Sequence, residues 1–281
     1  MKGEIGIIGN GFVGGAVAYG FANKLPLVYD LKPELSKNTL EEVMGCKYIF
    51  VCLPTPMVDE TGGEANLSIV ENCLKEIGKY FLEDQVVILK STVPVGTTNE
   101  LAVKYDLKNL VHCPEFLTAA NANQDFVNAD RTVIGLPEHS HEKCLVMVRQ
   151  LFENCFPNIP VYTMSSNESE LVKYSANCFL ATKVMFFNLV KLLSEKLDMK
   201  YENLLDGVLS DPRIGSSHTK VPGPDGDYGF GGTCFPKDVN AMIKTLDKHD
   251  ISTNILRSVW ADNMQYRNNW DWAESESAVK K

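Results

Sequence analysis

The segment GFGGTCFPKD, residues 229–238, contains the side chains best suited to chemistry in this chain. Cys234 follows a glycine-rich stretch whose backbone can offer N–H donors, and Lys237 and Asp238 follow it at a predicted helix start. A thiolate is stabilised by backbone N–H groups and nearby cations, whereas a cysteine that only fills space needs neither. We therefore interpret Cys234 as a candidate nucleophile. The alternative is a packing cysteine at a loop–helix junction.

The chain has eight cysteines, and the other seven lie in different surroundings from Cys234. They are scattered, with no C-x-x-C pair and no Cys/His cluster at zinc spacing, so we predict no metal site. Most of them lie in apolar segments such as YIFVCLP (48–54). This pattern predicts reduced cysteines that serve in packing.

A glycine-rich turn, IGIIGNGFVGG (5–15), lies at the other end of the chain. Gly9 permits a tight turn, Gly11 lets a pyrophosphate approach the backbone, and Gly14 lets helix and strand pack closely. Phe12 and Val13 belong to the same turn and are included in the candidate cofactor site. The N–H groups of the following helix favour phosphate. A purely structural glycine turn is the alternative, but the strand before it and the helix after it favour a dinucleotide site.

The choice of dinucleotide depends on Asp30, which ends the next strand 21 residues beyond Gly9. A carboxylate at this position accepts hydrogen bonds from the adenosine ribose and repels a 2′-phosphate. We therefore expect NAD rather than NADP.

Apolar, β-branched runs alternate with helical patterns through the first 165 residues, which indicates a Rossmann-type doubly wound parallel sheet. The predicted strands are 4–9, 25–30, 48–54, 86–92, 110–115, 131–136 and 159–164. Polar, proline-containing stretches end three of them: CLPTP (52–56), KSTVPVGTT (90–98) and CPEFL (113–117). Each alone is compatible with turn chemistry, but together they predict a lined cleft beyond the carboxyl ends of the strands.

An all-helical domain is predicted for 166–272, followed by a frayed tail over 273–281. One long central helix is predicted over 165–197, opened by serine and asparagine cap residues and Glu168. Apolar residues surround most of its circumference, so it must be buried on several sides. We expect it to form a homodimer contact.

The bulk composition limits the function classes further. A length of 281 residues suits two domains, and a net charge of −9 argues against binding to nucleic acid or anionic membranes. We find no apolar run near the roughly 20 residues that cross a bilayer, and no signal peptide. We therefore expect a cytoplasmic protein without membrane contact.

Several separated motifs resemble those of the UDP-glucose/GDP-mannose dehydrogenase family. They occur in the family's order from Gly9 to Asp238 and are GNGFVG, PTP, KSTVPVGTT, PEFL, ELVKYSANCFLATKV and GFGGTCFPKD. The resemblance implies that Cys234 is the nucleophile, that Lys173 and Asn177 stabilise an oxyanion, and that Asp238 assists near the thiol. It also implies that Thr92 positions water and that Glu115, the first acid of the PEFL motif, is a catalytic residue.

The resemblance also implies binding positions for the cofactor and the substrate. The implied NAD contacts are Gly11, Asp30, Thr55, Thr92 and Lys237. The implied sugar-nucleotide contacts are Glu115, Phe116, Leu117, Lys173, Asn177 and Gly231. The implied reaction oxidises the C6 alcohol of a nucleotide sugar, UDP-glucose being favoured, to the uronic acid. It uses two NAD and passes through a thiohemiacetal and a thioester on the cysteine.

Two features depart from the family pattern. The second glutamate of the family's PEFLxE motif is replaced by Ala119, and the chain ends before the family's usual C-terminal domain. The loop 216–229 is also longer than is usual in the family, and His218 and Lys220 are its candidate contacts for an anionic group. Two alternatives stay open. One is a two-electron β-hydroxyacid dehydrogenase, which has no use for a loop thiol, and the other is a catalytically impaired nucleotide-binding module.

Overall fold

The computed structural model describes residues 3–80, 84–118 and 120–280. Within these residues seven strands form one sheet in the order β2-β1-β3-β4-β5-β6-β7. The strands are β1 (Ile5–Ile8), β2 (Leu27–Tyr29), β3 (Tyr48–Val51), β4 (Val86–Leu89), β5 (Leu110–His112), β6 (Thr132–Leu136) and β7 (Val161–Ser165). The predicted doubly wound sheet is confirmed, with one correction: β5 and β6 pair antiparallel, through His112 and Gly135.

Eleven α-helices accompany the strands in the described residues. They are α1 (Phe12–Gly20), α2 (Leu40–Met44), α3 (Ser68–Ile77), α4 (Thr97–Lys104), α5 (Ala122–Val127), α6 (Glu142–Cys155), α7 (Ser166–Lys196), α8 (Tyr201–Leu209), α9 (Phe235–Lys248), α10 (Asn254–Tyr266) and α11 (Asp271–Glu274). The predicted long helix is α7. A capping box starts it, in which Ser165 and Glu168 exchange hydrogen bonds, because this pairing satisfies backbone N–H groups in the first turn.

The sheet is covered on both faces, which explains why the strand sequences are almost continuously apolar. Alternate residues of β3 enter different cores. Phe50 packs in an aromatic cluster with Phe21 and Phe152, whereas Ile49 and Val51 pack in the opposite core. All four residues of β1, β3 and β4 are buried.

The chain divides into two compact units. The first consists of Met1–Thr55 and Asn66–Lys173, and the second of Pro56–Ala65 and Tyr174–Lys281. The division therefore falls inside α7, rather than at the predicted boundary after residue 165. The short segment 56–65 belongs with the helical unit, which no sequence signal indicated.

The helical unit differs from the sequence expectation at its C-terminal end. The stretch 252–272 contains two helices, α10 and α11, because Arg267 leaves α10 in an extended conformation. Beyond α11 the tail is packed rather than frayed: Ala278 and Val279 are buried and pair with Met57. This packing depends on the segment 56–65, so it was not visible from the local sequence.

One described helix, α7, has the length and apolarity needed to cross a membrane. The sequence had led us to expect no such segment. Length and composition alone do not distinguish a membrane span from the core helix of a soluble protein. Buried Glu170, Lys173 and Asn177 on this helix each have a polar partner in the structure.

Candidate active site

The glycine turn between β1 and α1 has a geometry that only glycine permits. Gly9 has φ of +94°, and a Cβ there would lie 2.4 Å from the carbonyl oxygen of Cys52. A Cβ on Gly14 would lie 1.8 Å from the carbonyl oxygen of Gly9. The first glycine therefore allows the turn, and Gly14 allows α1 to approach the strand.

The N-terminus of α1 is open to an anionic ligand. Gly11 caps it without a side-chain hydrogen bond, and the first turn contains no acidic residue. A Cβ on Gly11 would meet no atom within 4 Å, and the neighbouring Phe12 is 40% exposed. Val13, the next residue, packs against the sheet core. Free helical N–H groups above a side-chain-free surface fit the pyrophosphate of a dinucleotide.

Asp30 follows β2 and is held beside the glycine turn. One carboxylate oxygen accepts the N–H of Asn10 at 2.7 Å, and the other accepts the N–H of Lys32 at 2.8 Å. These bonds fix the orientation of the carboxylate but leave lone pairs for further donors. Such a carboxylate can accept hydrogen bonds from the two hydroxyls of a ribose.

The ends of β3 and β4 are tied by hydrogen bonds. The hydroxyl of buried Thr55 donates to the carbonyl oxygen of Thr92 at 2.7 Å, and the N–H of Leu53 donates to the hydroxyl of Ser91 at 3.0 Å. The predicted positions Thr55 and Thr92 are therefore neighbours at the carboxyl end of the sheet.

The first unit contains a buried ion pair. Lys173 Nζ donates to Glu115 Oε1 at 2.8 Å, and the side chains are only 3% and 6% exposed. Burial acts to raise the pKa of Glu115, but the charge and hydrogen bond of Lys173, the N–H of Leu117 and the charge of Lys90 together lower it. Glu115 is therefore a carboxylate at neutral pH.

Glu115 also borders a small cavity of about 30 Å³, which is enough for about one ordered water. Glu115, Phe116 and Leu117 line it together with Lys90 and Arg131. The ring of Phe116 lies 4.1 Å from the Arg131 guanidinium carbon and 5.4 Å from Lys173 Nζ. These cation–π contacts fix the PEFL segment between two positive charges.

Sequence reasoning missed two functional candidates in this unit. Lys90, buried at the end of β4, donates to the carbonyl oxygen of Pro114 at 3.1 Å and adds positive charge near Glu115. Glu170 accepts the N–H groups of Gly96 and Thr98 at 2.6 and 2.8 Å, which joins α7 to the start of α4. The available signals were a lysine directly after an apolar strand and a carboxylate three residues before Lys173.

The thiol lies in the second unit, at the start of a 14-residue helix. Cys234 is the N-cap residue of α9 and is half-buried, with its Sγ 3.7 Å from the hydroxyl of Thr233. A helix N-terminus favours an anion there. The ring of His218 lies 5.6 Å from the ring of Phe235, the residue after the thiol, and burial lowers the pKa of this histidine.

A buried polar network follows the thiol within the first turn of α9. Asp238 accepts the side-chain amide of Asn177 at 2.6 Å through one oxygen and pairs with Lys237 at 2.5 Å through the other. All three side chains are at least nine-tenths buried. The amide oxygen of Asn177 is therefore oriented by the carboxylate that receives its N–H group.

Burial makes the thiols of the other cysteines less acidic, which disfavours the reactive thiolate. None of the eight, all of which lie in the described residues, forms a disulfide, and burial raises the pKa of Cys46 to about 11 and of Cys52 and Cys73 to about 12. In the described part of the chain, no group of three or more His, Cys, Asp or Glu residues could hold a metal ion.

The predicted site residues therefore form two groups, one in each unit. The first unit contains Gly9, Gly11, Phe12, Val13, Gly14, Asp30, Thr55, Thr92, Glu115, Phe116, Leu117 and Lys173, and the second contains Asn177, Gly231, Cys234, Lys237 and Asp238. The predicted departure at Ala119 lies outside the described residues.

Two family models match successive parts of the chain. The NAD binding domain of the UDP-glucose/GDP-mannose dehydrogenase family matches residues 29–156, and the central domain of the same family matches residues 167–265. The chain belongs to the UDP-glucose/GDP-mannose dehydrogenase family. The glycine turn precedes the first matched range, and residues from 266 onward follow the second.

Members of the family resemble the chain over most of its length. It is 35% identical over 219 residues to UDP-glucose 6-dehydrogenase YwqF of Bacillus subtilis, covering 75% of this chain and 47% of that protein. It is 32% identical over 251 residues to a UDP-glucose 6-dehydrogenase of Rickettsia felis, covering 85% of this chain and 54% of that protein. The chain thus spans about half the length of the curated relatives it matches.

Solved structures show the same fold. A UDP-glucose dehydrogenase of Pyrobaculum islandicum has a TM-score of 0.81 and 27% identity, over 94% of this chain and 68% of that one. A 3-hydroxyisobutyrate dehydrogenase of Mycobacterium tuberculosis has a TM-score of 0.73 over 95% of this chain and 94% of that one, but only 16% identity. The second likeness concerns the fold alone.

Proposed function

We propose that this family member is an NAD-dependent nucleotide-sugar 6-dehydrogenase with UDP-glucose as the favoured substrate. The observation that carries the proposal is the half-buried thiol at the N-terminus of α9, followed within one turn by the Asn177–Asp238–Lys237 network. A two-electron alcohol dehydrogenase has no use for such a thiol. An enzyme that takes an alcohol to an acid needs it, because a covalent adduct holds the aldehyde ready for a second oxidation.

The residues of the glycine turn fit NAD, which when bound supplies the acceptor for one hydride in each of two oxidations. The open N-terminus of α1 would hold the pyrophosphate, and Asp30 would accept hydrogen bonds from the ribose hydroxyls. A 2′-phosphate would place negative charge beside this carboxylate, which favours NAD over NADP.

Cys234 supplies the covalent chemistry. Its thiolate adds to the aldehyde carbon produced by the first oxidation, the C=O π bond opens, and the oxygen takes a proton to give a thiohemiacetal. The second oxidation removes hydride from the same carbon and releases the proton from its oxygen, which leaves a thioester. Water then attacks the thioester carbon, the C–S bond breaks, and the thiolate is regenerated as the acid leaves. The helix N-terminus stabilises the thiolate as attacking and leaving group.

Lys173 and Asn177 supply polar groups for the oxyanion that develops in these steps. They lie one turn apart on α7, so their side chains share one face of the helix. Glu115 holds the ammonium of Lys173, and Asp238 holds the amide of Asn177. Donors fixed before the reaction stabilise a developing charge without reorganisation.

Hydrolysis of the thioester needs a water molecule and a base. Glu115 borders a cavity of one-water size and is ionised at neutral pH because Lys173 and Lys90 lower its pKa. A lowered pKa also makes it a weaker base. We therefore propose that Glu115 orients water, with Thr92, and that the hydrolytic step is the slow one in this chain, where alanine occupies position 119.

We also propose a homodimer through α7. Phe179, Phe186 and Leu193 are more than half exposed and recur every seven residues, so they form one apolar stripe on the helix. Seven-residue spacing is typical of helices that pack against a partner helix, and isologous pairing is the commonest way to cover such a face.

The experiment that tests the proposal counts NADH formed per sugar consumed, with NAD and a panel of UDP-glucose, UDP-N-acetyl sugars and GDP-mannose. Two NADH per sugar support the thiol mechanism if Cys234→Ala abolishes formation of the acid. Cys155→Ala, on α6, is the control and should leave acid formation unchanged. One NADH per sugar points to a two-electron dehydrogenase of the β-hydroxyacid type. No NADH, with NAD still bound, points to a catalytically impaired nucleotide-binding module.

A further inference from the structure

The backbone just before Cys234 is held by a carboxylate from the C-terminal end of the same unit. The N–H of Gly232 donates to both oxygens of Asp271, at 3.1 and 3.0 Å. Gly232 has φ of +71°, so it lies in a left-handed turn, where its N–H points to a side chain rather than to the local backbone. Asp271 is the first residue of α11 and supplies that partner.

Asp271 is itself held by a buried cation. The side chain of Arg267 is 1% exposed, and its Nη2 lies 3.2 Å from Asp271 Oδ1 and 2.5 Å from Asp225 Oδ2. The remaining guanidinium nitrogens donate to the carbonyl oxygens of Tyr228 and Asn269. One guanidinium therefore joins the long loop before the thiol to the segment that carries Asp271.

The ion pair lies close against the backbone of the loop. A Cβ on Gly231 would lie 2.1 Å from Arg267 Nη2 and 2.4 Å from Asp271 Oδ1. The ion pair thus packs directly on the backbone of Gly231, which is the position implied to contact the sugar.

The segment that carries Asp271 is anchored from its other side. Trp272 is fully buried and donates its indole N–H to the carbonyl oxygen of Glu60 at 2.9 Å. Its ring lies 5.9 Å from the Arg267 guanidinium carbon. Arg267, Asp271 and Trp272 all follow residue 265, where the family's central domain ceases to match.

We propose that Asp271 is a positioning residue for Cys234. With Arg267 it fixes the backbone of Gly231 and Gly232, just before the nucleophile, and so sets the direction of the thiol and of the sugar-contacting backbone. The inference rests on the proposed function for its effect on catalysis. Its effect on the loop and on thiol reactivity does not depend on any substrate.

Three variants test this role. Asp271→Ala removes both acceptor oxygens, Asp271→Asn keeps one oxygen for the Gly232 N–H, and Asp262→Asn removes a similarly half-buried carboxylate from α10 as the matched control. Hydrogen exchange at the Gly232 amide, alkylation of Cys234 by iodoacetamide across pH, and kcat and KM for NADH formation are measured on each.

We expect the Gly232 amide to be protected in the unmodified protein and unprotected in Asp271→Ala, with a changed pH profile of Cys234 alkylation. The value of kcat falls by about 10- to 100-fold, because misplacing a reacting group by about 1 Å costs up to that much. Asp271→Asn recovers most of the protection and of kcat, and Asp262→Asn matches the unmodified protein.

An unprotected Gly232 amide in the unmodified protein overturns the proposal without any variant. The test therefore remains decisive even if Asp271→Ala folds poorly. An alkylation profile and kcat in folded Asp271→Ala equal to those of Asp262→Asn overturn it as well. If no variant forms NADH but exchange and alkylation change as expected, the positioning of the thiol stands and only the proposed reaction fails.

Discussion

Glu170 should make the stability of this protein depend on pH in a direction opposite to most carboxylates. It is fully buried on α7, and its partners are the N–H groups of Gly96 and Thr98 and the hydroxyl of Thr98. Burial raises the pKa of Glu170 from 4.5 to about 7, and these hydrogen bonds oppose the rise without cancelling it. The folded protein therefore binds this proton more tightly than the unfolded chain does.

The sign and size of the effect follow from that difference. The contribution of Glu170 is fully present below pH 4.5 and is lost as the pH rises through about 7. At 1.36 kcal/mol per pKa unit, the whole term is about 3 kcal/mol of the free energy of unfolding. About 2.5 kcal/mol of it is lost between pH 5 and pH 8, because the titration begins just below pH 5.

Urea unfolding at pH 5 and pH 8 measures this term when the protein is compared with Glu170→Gln. The variant cannot titrate, so its stability relative to the unmodified protein should rise by about 2.5 kcal/mol from pH 5 to pH 8. A constant cost accompanies it, because glutamine has one acceptor oxygen where Glu170 uses two, and its NH2 group cannot accept a backbone N–H. Glu142→Gln, an exposed carboxylate of α6, is the control. Parallel stability–pH curves for Glu170→Gln and the unmodified protein would refute the reasoning.

The buried and exposed groups lead to three further predictions. Lys173→Met leaves the Glu115 carboxylate buried without its cation and should lower the free energy of unfolding by about 3–5 kcal/mol, as measured in urea. The double variant Lys173→Met/Glu115→Leu should regain most of that stability but not the activity. Phe179→Glu/Phe186→Glu should convert the proposed dimer to a monomer in sedimentation, and an unchanged dimer would exclude this stripe as the interface. Iodoacetamide should label Cys234 before any other cysteine in the native protein, as read by mass spectrometry, because burial raises the pKa of the packed thiols.

The sheet and the glycine turn could be predicted because their signals are local. Continuous apolar runs require burial on both faces, and Gly9 and Gly14 are spaced for a turn in which any Cβ would collide with backbone. The start of α7 was equally readable, because Ser165 and Glu168 form a capping box within one turn. Such features depend on residues a few positions apart.

The supports of the site were not predictable, because each depends on residues far apart in the chain. Lys90 reaches Pro114, and Glu170 reaches Thr98 across 72 positions. The order of the packed tail depends on Met57, more than two hundred residues earlier. A sequence pattern identifies a lysine or carboxylate as unusual, but only the fold shows which group it contacts.

The two buried ion pairs are better explained by function than by a contribution to stability. A buried ion pair such as Lys173–Glu115 loses much of its Coulombic gain to desolvation, and an apolar pair of similar size would stabilise the fold as well or better. The same holds for Lys237–Asp238 beside the thiol. Two such pairs are therefore poorly explained by stability. They are well explained if each holds one functional group in place: the ammonium of Lys173 by Glu115, and the amide of Asn177 by Asp238.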